Sequence, residues 1–97
     1  MLIRACEIEE KEGRRGYPVG PHQDVIQHFA ARMTTPDNPF RPHQHERQEF
    51  WYIVEGQAMV RLDGEEHVVE AGDLVLIAPW TEHGLRTEGV VHWICFG

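Results

Sequence analysis

From Gln48 onward, turn signals follow one another too closely to leave room for helices. Gly56 ends FWYIV, Asp63-Gly64 separates AMVRL from EEHVV, Ala71-Gly72-Asp73 precedes LVLIA, and Glu88-Gly89 precedes VVHWICF. The runs between them are rich in Val, Ile, Phe, Tyr and Trp, residues that fit a pleated, half-buried surface. Asp-Gly between two such runs signals a hairpin, because both turn positions adopt positive φ. Upstream, VIQHFAARMTT at 25–35 starts with β-branched residues and reads as a strand. TPDNPFRP at 35–42 holds three prolines, which forbid a helix. Residues 9–24, rich in Gly, Pro and charge, read as a loop. Seven or eight short strands without an amphipathic helix predict an all-β sandwich or closed barrel. Its 97 residues make one domain, with an N-terminal strand and loop over 1–24 and the barrel over 25–96.

FWYIV and LVLIA are apolar on both faces. A half-buried antiparallel strand alternates with polar residues, so a second sheet or a partner must cover the other side, and a homodimer is expected. The formal charge of -7, with only nine Lys and Arg, argues against a nucleic-acid surface. No apolar run approaches the ~18 residues of a membrane span. The opening MLIRACEIEEKEG lacks the apolar core of a signal peptide, making a cytoplasmic location the expectation. Cys6 and Cys95 form no CxxC pair and are too few for a disulfide framework, so both read as reduced thiols.

RPHQHERQEFWYIVEG, residues 41–56, carries the chemistry. On an unbroken strand from 43, His43, His45 and Glu49 share parity and point the same way, with Trp51 and Ile53 continuing that face as apolar walls. Two imidazoles and a carboxylate suit a borderline divalent cation. His83, after a buried-looking strand and the tight loop APWTE, is the candidate fourth ligand. Arg47 would share the ligand face and pair with a substrate carboxylate or phosphate. Trp80, His28 and His92 are further candidates for the pocket lining, whereas His22 and His67 read as ordinary surface or core histidines.

HQHERQEFWYIVEG resembles the first motif of the cupin superfamily, HxHxxxE, six residues, then Gly. GDLVLIAPWTEH resembles the second: Gly, Asp, a hydrophobic strand, a Pro/Gly turn, then His. The chain departs from the pattern at Asp37, Ala78, Trp80 and Thr87, where Trp80 replaces the usual glycine. The resemblance implies a double-stranded β-helix, or jelly-roll barrel, of the small single-domain microbial type. It also implies one Mn, Fe, Ni, Co, Cu or Zn ion held by His43, His45, Glu49 and His83.

The function expected from these residues is metal-assisted chemistry on a small oxygen-rich molecule, such as a sugar, keto acid or diol. The reaction would be of isomerase, lyase or dioxygenase type, with Glu49 as ligand and proton acceptor. The alternative is a module that binds a small molecule or metal without turnover. Fold alone does not choose between them.

Overall fold

The computed structural model describes all 97 residues, Met1–Gly97. Nine strands form: β1 (Arg14–Tyr17), β2 (Phe29–Thr34), β3 (Phe40–His43), β4 (Glu49–Glu55), β5 (Gln57–Leu62), β6 (Glu65–Glu70), β7 (Leu74–Ile77), β8 (His83–Arg86) and β9 (Val91–Phe96). Two single-turn 3-10 helices, Ala5–Glu7 and Gly20–His22, precede the barrel. β1 is the strand that the Gly- and Pro-rich composition of residues 9–24 conceals; it pairs with β2 from Arg14↔Arg32 to Tyr17↔Phe29.

The strands make two antiparallel sheets in the expected jelly-roll architecture. One runs β1-β2-β9-β4-β7, the other β3-β8-β5-β6. Asp63 and Gly64 both adopt positive φ, 47° and 84°, in the β5–β6 hairpin, the paired left-handed geometry that Asp-Gly favours. At the β4–β5 turn Gly56 has φ 96°, and any side chain there would collide with the Val90 carbonyl. Glycine is required at that position on both counts.

Alternation then sorts the side chains. In β4, Trp51 and Ile53 turn inward and are fully buried, while Tyr52 and Val54 are exposed. In β7, Val75 and Ile77 turn inward, while Leu74 and Leu76 face out. The inner faces meet in a core that includes Trp51, Ile53, Val60, Leu85, Val91 and Trp93. Burying an aliphatic side chain completely is worth about 1.5–3 kcal/mol, so a few such residues decide the fold of a small domain. Strand register stacks the inner face in rows. Ala30, Cys95 and Trp51 lie in one row, and Arg32, Trp93 and Ile53 in the next.

The sequence-based premise of one unbroken strand from 43 to 53 does not hold. β3 ends at His43 in the four-stranded sheet, and β4 begins at Glu49 in the five-stranded one. QHERQ, residues 44–48, has no apolar side chain to bury, so the chain leaves one sheet there and crosses to the other.

Candidate metal centre

Antiparallel pairing of β3 with β8 sets His43 opposite His83, with ring centroids 4.5 Å apart. The crossing at 44–48 returns His45 to the same place, 4.7 Å from His83 and 5.3 Å from His43 between centroids. One nitrogen from each of the three rings lies within 4.8 Å of the other two. The three histidines therefore converge from a strand end, a corner and a facing strand, rather than by parity along one strand.

His83 is completely buried, and its Nδ1 lies 2.7 Å from the Thr81 carbonyl oxygen. A carbonyl only accepts, so Nδ1 carries the proton and Nε2 keeps its lone pair. That Nε2 is buried and has no hydrogen-bond partner. A ring held this way, with a free lone pair aimed inward, is an imidazole set up to bind a metal. His45 Nε2 lies 3.1 Å from Glu49 Oε2, and its Nδ1 is likewise buried without a partner. His43 is exposed as a residue, yet its ring packs 4.9 Å from Phe40. That desolvation, with the neighbouring His83 and His45, holds its pKa below the usual imidazole value. The donor set fits a borderline divalent cation on residue chemistry alone.

Glu49, the first residue of β4, is buried. Its Oε1 accepts a 2.7 Å hydrogen bond from Trp51 Nε1, and its Oε2 faces His45 at 3.1 Å and His28 Nε2 at 3.8 Å. With His28 and Cys95 the carboxylate forms a second set of donors within 4.8 Å of one another, separate from the three-histidine set. His28 precedes β2, and both its ring nitrogens are buried without partners. Burial, then the Arg47 charge, lowers its pKa.

The structure treats the other expected residues unequally. Trp51 walls the site, edge-on to His83 at 5.4 Å. Ile53 lies one row deeper, in the core. Arg47 is exposed on the 44–48 crossing rather than on a strand, near enough to influence His28. His92 is exposed on the outer face of β9, because its inward neighbours are Val91 and Trp93; the structure does not bring it to the cluster. Trp80 is 60% exposed, with φ 62°, a region where glycine is unstrained. Its backbone N–H donates to the His45 carbonyl at 2.8 Å, tying the turn before His83 to the crossing that carries His45. Sequence reasoning passed over Arg32; it read Cys95 as a reduced thiol, and Cys95 is free and buried. The signal for Arg32 was present: it shares strand parity with Ala30 and Thr34.

A family model described as the cupin domain matches residues 32–97. The chain belongs to the cupin family. It is 38% identical over 71 residues to an uncharacterized protein of Methanocaldococcus jannaschii, covering 72% of this chain and 57% of that one. It is 39% identical over 49 residues to dimethylsulfoniopropionate lyase DddW of Ruegeria pomeroyi, covering 50% of this chain and 32% of the relative. The cupin therefore spans between a third and somewhat over half of these relatives' lengths. Among solved structures, a predicted oxalate decarboxylase of Thermotoga maritima superposes with TM-score 0.80 at 18% identity, covering 99% of this cupin and 96% of that chain. The polyketide cyclase RemF of Streptomyces resistomycificus also gives TM-score 0.80, at 15% identity, with 99% and 77% covered. No helix is long and apolar enough to cross a membrane.

Proposed function

We propose that this cupin is an enzyme holding one divalent transition metal ion at His43, His45 and His83, with Glu49 as the carboxylate of the set, and acting on a small oxygen-rich molecule. The observation that carries the reading is the buried, partnerless Nε2 of His83, fixed as a lone-pair donor by the bond from Nδ1 to Thr81. When bound, such an ion supplies Lewis-acid polarisation of a substrate oxygen. Trp51 fixes Oε1 of Glu49, and Oε2, which faces His45 at 3.1 Å, is the atom that would take a substrate proton. The lyase among the relatives supports proton-transfer chemistry as one outcome; isomerase and dioxygenase types remain within the reading.

Elemental analysis of untagged, chelator-free protein tests this directly. Near one metal ion per chain is expected, lost on His83→Ala. Zinc or manganese directs assays to isomerase and lyase substrates, and iron, nickel or copper to oxygen uptake. No metal after reconstitution breaks the reading.

The expected homodimer joins this proposal. The outer face of the five-stranded sheet leaves Tyr52, Val54, Leu74 and Leu76 exposed. The centre of that face carries no charge, so two copies of a chain with formal charge -7 can meet there without opposing like charges. Light scattering of Leu76→Glu is expected to show monomers where the wild type is dimeric.

A further inference from the structure

Arg32 lies on the inner face of β2, in phase with the buried Ala30 and Thr34. A cation inside a small barrel needs a counter-ion, because an uncompensated charge there is expensive to desolvate. None of the chain's ion pairs includes Arg32, and its Nε is buried without a hydrogen-bond partner. The guanidinium carbon sits 4.8 Å from the Phe40 ring centroid on β3 and 5.5 Å from that of Trp93 on β9. It lies between the two sheets, within cation–π reach of two aromatic rings that stand perpendicular to one another.

Ala30, one step along the same face, is too small to cover it. The guanidinium reaches the thiol of Cys95, the register partner of Ala30. Cys95 is in turn within 4.8 Å of the donor atoms of Glu49 and His28. On the far side of the space, His43 stands against Phe40 and feels the Arg32 charge. Glu49, the carboxylate that faces the histidines, is already hydrogen-bonded to Trp51 and His45. Arg47, near His28, adds a second positive charge.

We propose that Arg32 is an anion-binding residue of the pocket and that the substrate carries a carboxylate, held by the guanidinium while other substrate oxygens face the three histidines. This rests on the metal-site reading above. A planar carboxylate matches the guanidinium fork. The Arg32 charge beside Cys95 disfavours a second cation at the His28–Glu49–Cys95 group.

The probes are malonate, with one carboxylate for the metal and one for Arg32, and its neutral diamide, malonamide. Each is titrated calorimetrically into zinc-loaded and chelator-stripped protein, as wild type, Arg32→Gln and Arg32→Lys. Loss of charge-assisted hydrogen bonds is expected to weaken malonate by at least about tenfold in Arg32→Gln. Arg32→Lys should fall between, and malonamide should not change. Equal malonate affinity in wild type and Arg32→Gln, or no malonate binding by the wild type, overturns the proposal. If Arg32→Gln does not fold, Arg32→Lys decides: weakened malonate alone supports it, and unchanged malonate overturns it. Zinc content of each sample separates the two readings. A wild type without zinc breaks the metal centre, whereas Arg32-independent malonate binding with zinc retained breaks only the anion site. The stripped protein reads the Arg32 contribution in either case.

Discussion

Two groups of potential metal donors stand side by side in the barrel, and they are assembled differently. His43, His45 and His83 come from β3, the crossing at 44–48 and β8, so they converge through a corner and a facing strand. His28, Glu49 and Cys95 lie at β2, β4 and β9, neighbours in one sheet. The first group offers lone pairs, and of its rings His43 feels the Arg32 charge from across Phe40. The second is bordered by Arg32, and burial pushes its Cys95 thiol above the usual thiol range, keeping it protonated. Residue type alone would call both metal sites; charge and burial are the grounds for proposing a cation at one and an anion at the border of the other.

The widest separation between the groups is expected from a pair of substitutions. His83→Ala should weaken metal binding by more than about a hundredfold, since even partners that only orient a ligand are worth about 10–100-fold. Cys95→Ala should leave metal affinity unchanged. Competition against a chromophoric chelator measures both, and similar losses would erase the distinction. Next in size is Trp51→Phe, which keeps a ring against His83 but removes the N–H that fixes Glu49. Metal affinity should drop about tenfold, with the melting temperature showing whether the core survives.

A smaller effect is a pH dependence of the metal-free protein. His28 and His43 both have folded pKa values below 6.5, chiefly through burial. The unfolded chain therefore binds more protons between the lowered values and 6.5, so stability rises with pH across that window. It is present in full above 6.5 and is lost as pH falls toward the folded values. Urea melts across this range should show the slope, and His28→Gln should reduce it; a flat profile would contradict the burial of both rings. The smallest effect is expected at Glu46, exposed on the crossing, where Ala should leave metal affinity as it is.

Much of this architecture could be read before any coordinates. Asp63-Gly64 announced a hairpin because few other residues accept positive φ at two successive positions. FWYIV and LVLIA announced strands because their residues suit a pleat and little else. β1 was hidden because Arg14–Tyr17 lies among glycines and prolines and is stabilised by pairing with β2, a long-range partner. The histidines were legible as residues but not as geometry. Parity requires a continuous strand, and a polar run such as QHERQ offers nothing to hold one in place. His92 misled because a histidine one residue out of phase looks identical in sequence to one in phase. Arg32 was legible by parity as inward-facing, but that its Nε is buried without a partner is visible only in three dimensions.

The hydrogen bond from the Trp80 amide to the His45 carbonyl ties two donor-bearing segments by their backbones before any ion arrives. The spacing of the His45 and His83 segments is thus set by main chain as well as by their rings, so a side-chain substitution at Trp80 leaves that tie in place.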